Sequence, residues 1–277
     1  MKNTEQLHNC LGQRLTVFSQ DHIGDDIRKF GLFEKERLLF LLKLLQALPQ
    51  AVVLDIGANI GNHTLVFATA ASQVHAFEPM PAIHALLARN IADNKLSHAR
   101  AHALALSDCN DTATLHIGKQ GNLGMTSFEA RDDNSGTVTV NRRVGDEYLL
   151  EQGITHVDFL KIDVEGHEYF VLQGLRQTLE RDLPLITLEW NDDTAIARFS
   201  GSDLWQFLMT HYSVHAVDTT HDRTVWQDKP FAWIKRKWHR LLPRRIVVHD
   251  FNPQWHYDCV LLIPKGREAL LSATDQR

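Results

Sequence analysis

The spacing of apolar positions changes along the chain, and each change marks an element. From Glu34 to Leu48 apolar residues mix with strong helix formers and the run stops at Pro49, which predicts a helix leading into a core. AVVLDI, residues 51–56, is an unbroken apolar run of strand length, the pattern of a central parallel strand covered on both faces. Gly57 to Gly61 then make a tight turn and a helix follows from about Asn62. QVHAFE gives a second strand ending at Glu78, and Ile83, Leu86, Leu87 and Ile91 share one face of the next helix. ARAHALAL, VDFLKI and LITLEW predict third, fourth and fifth strands, with a helix carrying Val171, Leu172, Leu175 and Leu179 between the last two. This alternation predicts an α/β fold: a doubly wound, mostly parallel sheet with ligands in the crevice at the carboxyl ends of its strands. Residues 107–145 interrupt it, and TATLHI and TVTVNRRV, set among the stretches GKQGNLGMTSFE and DDNSG, predict a β-hairpin insertion. The expected division is an N-terminal helical appendage, residues 1–49, followed by one main domain, residues 50–277.

Composition narrows the partners. At 277 residues and 44% hydrophobic the chain can bury one large core, and a net charge of −5 argues against nucleic acid. Cys10, Cys109 and Cys259 are too scattered for a disulfide framework or a zinc knuckle, which points to a reducing cytoplasm. No signal-peptide core is visible, and the greasiest stretch, LLFLLKLLQAL, is short and broken by Lys43, so the expectation is a soluble protein, at most peripheral at the inner membrane surface. One segment departs from the acidic average. FAWIKRKWHRLLPRR, residues 231–245, reads as a basic amphipathic helix with Phe231, Ile234, Trp238 and Leu241 on one face and Lys235, Arg236, Lys237 and Arg240 largely elsewhere. It is either a lid over the sheet or a contact for an anionic or lipid-linked acceptor at the membrane. His211 and His215 are four apart but strand-like, so not a zinc pair, and Asn252-Pro253 reads as a turn.

The candidate chemistry sits at strand ends. In LDIGANIGN, Gly57 and Gly61 flank Asn59 between a buried strand and a helix, where missing side chains let a nucleotide-like cofactor approach the backbone. Asn59 stands where the dinucleotide fingerprint needs its second glycine, which disfavours NAD. Asp55 before the turn repels a pyrophosphate and suits a cation, and S-adenosylmethionine (SAM) carries a sulfonium and an ammonium but no phosphate. Glu78, 21 residues after Gly57, is placed to accept both ribose hydroxyls, and Ser107 with Asp108 ends the next strand where adenine would lie. FLKIDVEGHEYFVLQG, residues 159–174, brings Asp163, Glu165, His167 and Glu168 to the end of a central strand, where helix capping accounts for one carboxylate but hardly the set.

The segments VVLDIGANIGNHTLVFA, HAFEPMPAIHALLARNIADN, LALSD, GNLGMTSF and DFLKIDVEGHEYFVLQGL together resemble the FkbM family of SAM-dependent methyltransferases over roughly residues 50–192. The resemblance implies a Rossmann-like class I methyltransferase sheet of seven strands, the last antiparallel and supplied by WHYDCVLLIP. It also implies O-methylation of a hydroxyl on a sugar, glycan or natural-product acceptor. By the same resemblance Asp55, Gly57, Asn59 and Gly61 serve the methionine part of SAM, Glu78 the ribose, and Ser107 and Asp108 the adenine, while Asp163, Glu165 and His167 face the transfer. Among them His167 suits a base with a pKa near neutrality, oriented by Asp163 or Glu165. A divalent metal held by Asp163 and a neighbouring oxygen is the second option for lowering the acceptor's pKa. Two other classes stand beside this one: a nicotinamide-dependent oxidoreductase on a similar sheet, and a catalytically silent SAM-binding module.

Overall fold

The computed structural model describes residues 3–19, 21–117, 126–128, 136–226 and 242–272 of the chain. Its N-terminus is not purely helical: β1 (Thr4–His8) and β2 (Arg14–Phe18) form an antiparallel hairpin before α1 (His22–Phe30) and α2 (Lys35–Gln46). The hairpin is absent from the sequence expectation because its strands are five residues each and only Leu15, Thr16 and Val17 are buried. Leu15, Val17, Ile27, Leu38 and Leu45 pack into the same cluster as Val53 of the main sheet and Val66 and Leu87 of the helices that follow, so residues 1–49 share its core.

The βα alternation follows as read. It runs β3 (Val52–Ile56), α3 (Asn62–Phe67), β4 (Gln73–Phe77) and α4 (Pro81–Asp93), the last begun by a proline whose fixed φ suits a first helical turn. Along β3, Val53 faces one core cluster while Leu54 and Ile56 face the other, which is why apolar residues occupy both faces and Asp55 is the one polar residue among them.

ARAHALAL is not one strand. The chain leaves the main sheet after β5 (Ala99–His102), and β6 (Ala105–Ser107) joins a three-stranded sheet with β7 (Asp111–Ile117) and β8 (Gly136–Val144). β7 and β8 are the expected antiparallel hairpin, with β6 parallel to β8 as its third strand. Gly174 permits that departure, since a Cβ there would fall 1.8 Å from the Ser107 carbonyl oxygen.

After α5 (Gly145–Glu151) and β9 (Phe159–Ile162) the single expected helix is two, α6 (Glu168–Gly174) and α7 (Arg176–Asp182), broken at Leu175. The rest is β10 (Leu185–Trp190), α8 (Asp193–Phe199), α9 (Asp203–His211), β11 (Tyr212–Thr219), β12 (Ile246–Asp250), β13 (Tyr257–Pro264) and α10 (Ala269–Ser272). α8 and α9 start on side-chain caps, with Asp192 accepting from the Ala195 amide and Ser202 from that of Trp205.

Among the described residues the main sheet has eight strands rather than seven, in the order β12-β11-β13-β10-β9-β3-β4-β5. β13 is the antiparallel strand expected from WHYDCVLLIP, inserted between β10 and β11, and β12 is an additional edge strand antiparallel to β11. The order reverses at β3, which lies between β4 and β9, so the crevice of this sheet opens beside the ends of β3 and β9. Of the basic segment 231–245, residues 231–241 lie outside the described residues, and Leu242 to Arg245 lead into β12. Among the described residues no helix is long and apolar enough to cross a membrane.

Candidate functional site

The glycine turn and the KIDVEGHE turn are packed directly against each other. Gly57 has φ of 76°, and a Cβ on it would fall 1.8 Å from the carbonyl oxygen of Asp163, so only glycine lets β3 and β9 end side by side. Asn59 is also left-handed, with φ of 49°, and its side-chain oxygen accepts from the Ile60 amide. The turn is fastened from behind by Asn90 of α4, which is fully buried. Asn90 donates to the carbonyls of Ile60 and Thr16 and accepts from the Thr16 amide, tying turn, helix and N-terminal hairpin at one point.

Beneath the two turns lies a residue that the sequence reading passed over as part of a strand. Lys161 of β9 is 6% exposed. Its ammonium donates to the Gly57 carbonyl at 2.9 Å and sits 3.1 Å from Asp163 Oδ2 and 3.5 Å from Asp55 Oδ1. Burial lowers the ammonium's proton affinity, but Asp163 and Asp55 outweigh it and hold Lys161 above its usual range. Asp55 has no solvent exposure and accepts a 2.6 Å bond from the Thr64 hydroxyl. Burial pushes its carboxyl upward against the pull of Lys161. The cation that Asp55 faces is therefore internal, and its role is to anchor the turn.

Above them opens a cleft of about 240 Å³. Gly57, Asn59, Glu78, Asp163, Glu165 and His167 all line it, together with Lys161 and Glu189. Asp55, Gly61, Ser107 and Asp108 do not, and the chain just before Ser107 reaches the cleft through Leu104, Ala105 and Leu106 instead. Glu78 is held ready: one oxygen accepts from the Asn59 amide at 3.1 Å and the other from the Met80 amide at 2.9 Å. Burial nevertheless raises its pKa to about 7. Phe77, Ile83, Leu104 and Leu106 give an apolar flank beside it.

The other end of the cleft is acidic. Asp163, Glu165 and Glu189 each offer a carboxylate oxygen within 4.8 Å of one another, a spacing a divalent cation can use, although Lys161 already neutralises Asp163. Burial, then Asp163 and Glu165, push the Glu189 carboxyl well above its ordinary value. Glu168, the first residue of α6, accepts from the amides of Val164 and Gly166 and so fastens the turn before the helix; among the described residues no side chain caps the helix itself. His167 lies apart from Asp163 in its bonding: its Nε2 is 3.0 Å from the Ser107 hydroxyl, and its ring packs between Phe128 and Phe170. Burial, reinforced by Arg142, lowers its pKa to about 4, not the near-neutral value expected of it.

Residues 1–49 complete the wall through His22, Ile23, Phe33 and Glu34. Glu34 is positioned by Arg37, whose guanidinium pairs with Glu34 at 3.1 Å, Asp222 at 2.8 Å and Asp258 at 3.0 Å. His63 of α3 lines the cleft with its Nε2 3.8 Å from Glu34. No sequence motif signals Glu34 or His63, because they meet only after α2 docks on α3.

A reversing parallel sheet with one inserted antiparallel strand, carrying a glycine turn bonded to a carboxylate at the next strand end, is the arrangement of a Rossmann-like class I methyltransferase. Residues 55–215 match the methyltransferase FkbM domain, and the chain belongs to that family. It is 29% identical over 154 residues to the hexuronic acid methyltransferase AglP of Haloferax volcanii, an alignment covering 52% of this chain and 58% of AglP. Against the 2-O-methyltransferase NoeI of Sinorhizobium fredii it is 28% identical over 160 residues, covering 52% of this chain and 65% of NoeI. The chain thus spans less than two thirds of the length of these relatives. The methyltransferase FkbM structure from Methylobacillus flagellatus superposes with a TM-score of 0.45 at 15% identity, over 77% of this chain and 43% of that one.

Proposed function

We propose that the protein is a SAM-dependent O-methyltransferase acting on a hydroxyl of a sugar, glycan or natural-product acceptor. The observation that carries this reading is Glu78, which lines the cleft beside the glycine turn with one oxygen on the Asn59 amide of that turn and the other on the Met80 amide. The donor set fits SAM. Glu78 suits the ribose hydroxyls, the flank of Phe77, Ile83 and Leu106 suits adenine, and the carboxylates of Asp163 and Glu189 complement positive charge. A pyrophosphate would meet those same carboxylates, which together with family membership speaks against the nicotinamide reading. When bound, SAM supplies an electrophilic methyl group on a sulfonium.

The chain's own residues then have two tasks. Lys161, by holding Asp55, Asp163 and the Gly57 carbonyl together, fixes the two turns that align donor and acceptor, and alignment is a large share of such a displacement. The acceptor's proton must also leave. His167 has its Nε2 on Ser107 and a pKa of about 4, so it is a weak base whose part is to shape the wall. Glu189, raised by burial and by neighbouring carboxylates, is the better proton acceptor. Glu189 would take the proton of the acceptor hydroxyl, which would make its oxygen the stronger nucleophile toward the methyl group that bound SAM would supply. Incubation with methyl-labelled SAM and a panel of glycans tests the whole reading. Transfer that is lost in Glu189→Gln supports it, whereas SAM binding without transfer to any acceptor points to the silent module.

A further inference from the structure

His167 separates the cleft from a second cavity of about 170 Å³, whose wall includes Phe128, Arg142, Glu165, His167, Phe170 and Arg198. Phe128, Glu165 and His167 belong to both, so the cavities adjoin. The side chains form an ordered strip. The His167 ring lies 4.7 Å from that of Phe128 and 4.8 Å from that of Phe170. The guanidinium of Arg142 lies 5.4 Å from the Phe128 centroid, and that of Arg198 lies 5.0 Å from the Phe170 centroid. An aromatic floor thus carries a guanidinium at each end.

Each arginine is oriented by the fold. Arg142 is forked onto Asp111 through Nε at 2.8 Å and Nη2 at 2.7 Å, which leaves Nη1 outside that fork. Arg198 donates to the Gly166 carbonyl at 3.2 Å. After burial, both arginines lower the proton affinity of His167 while Asp108 and Asp111 raise it, so both guanidiniums are close enough to act on the centre of the strip. Asp111 offsets Arg142, and Glu165 stands on the boundary with the cleft. Carboxylates gather on the cleft side of Glu165, while the two guanidiniums lie on the other side with Asp111 and Asp108 near them. A hydroxyl is a hydrogen-bond donor and suits the first. A carboxylate or phosphate is repelled there and suits the second, where planar guanidiniums bind it bidentately and aromatic rings stack on the apolar face of a sugar.

We propose that this second cavity is an acceptor subsite that holds an anionic substituent, a carboxylate or phosphate, between Arg142 and Arg198 while the hydroxyl to be methylated lies in the cleft. The proposal rests on the O-methyltransferase reading, and its test separates the two. The full chain, saturated with S-adenosylhomocysteine, is titrated with three probes: methyl glucuronoside, glucose 6-phosphate and methyl glucoside. At low salt at least one anionic probe binds about tenfold or more tightly than the neutral one, and raising ionic strength weakens only the anionic probe. If both anions bind, the subsite reads charge; if only one does, that probe identifies the source. Arg198→Gln and Arg142→Gln abolish the preference, Arg198→Lys restores part of it, and S-adenosylhomocysteine affinity is unchanged in all three. Equal binding of neutral and anionic probes, or no binding of either anion, overturns the proposal. So does equal loss of all three probes in the variants. Failure of S-adenosylhomocysteine to bind wild type would instead overturn the methyltransferase reading, and the salt-dependent titration can still be run without it.

Discussion

Replacing Lys161 with Met keeps the buried alkyl stem and removes the charge between Asp55 and Asp163. At the 3.5 Å separation of Lys161 and Asp55 the lost attraction is about 5 kcal/mol for an effective dielectric of about 20. The chain can limit that loss by protonating Asp55, which has no solvent exposure and would keep only the Thr64 hydroxyl as a partner. Neutralising a carboxyl of unfolded pKa about 3.9 costs about 1.4 kcal/mol per pH unit, so the ceiling is about 4 kcal/mol at pH 7 and about 1.5 kcal/mol at pH 5. The sign follows from direction. Burial already raises the Asp55 pKa, and without Lys161 it rises further. A group with a raised folded pKa contributes fully below its unfolded pKa and loses that contribution as pH climbs toward the folded value. Urea unfolding of Lys161→Met should therefore show a deficit that widens from pH 5 to pH 7, by roughly 1.4 kcal/mol per unit. Adding Asp55→Asn should flatten that slope. A deficit under about 1 kcal/mol at pH 7, or one independent of pH, would refute the anchoring role of Lys161.

Glu78→Ala should lose about 1–3 kcal/mol of SAM binding by calorimetry, through orphaned ribose hydroxyls. Because the free carboxyl titrates at about 7, wild-type affinity should rise as pH increases through that value, and a flat profile would count against Glu78 as the ribose acceptor. The pH dependence of turnover should be unchanged in a partly active His167→Ala, since burial holds that imidazole at about 4. EDTA should leave turnover within about twofold; a loss restored by Mg²⁺ would move the proton chemistry to a cation on Asp163, Glu165 and Glu189. Asn90→Leu should cost about 1–3 kcal/mol of stability in urea unfolding, because it strands the Thr16 amide and two carbonyls.

What the sequence disclosed follows from how local each signal is. The apolar run of β3 and the glycines after it report burial and turn geometry from adjacent residues, and both stand where they were read. ARAHALAL misled because its apolar character persists through His102–Ala105, where the chain crosses from one sheet to another. The crossing depends on Gly174, some seventy positions away, and no local period reports it. His167 was weighed by residue type alone. Its proton affinity is set by Phe128, Phe170 and Arg142, which reach it from other segments. Lys161 had a local signal, a lysine inside an otherwise apolar four-residue strand, and a buried charge in such a place requires a partner.

The match to the family begins at Asp55, yet the cleft does not. His22, Ile23, Phe33 and Glu34 form part of its wall, and Arg37 fastens Glu34 to Asp222 and Asp258 at the far end of the sequence. The glycine turn, Glu78 and Asp163, which the proposed function assigns to the cofactor, lie within the matched region. The outer wall comes partly from segments whose pattern the family does not dictate. A surface assembled this way can change the acceptor it admits while β3, β4 and β9 stay as they are, because Arg37 and Glu34 touch neither the glycine turn nor Lys161 by any direct bond. Selectivity among acceptors is accordingly expected to follow Glu34, His63 and the Arg142–Arg198 strip, and cofactor affinity to follow Glu78 and the anchor beneath it.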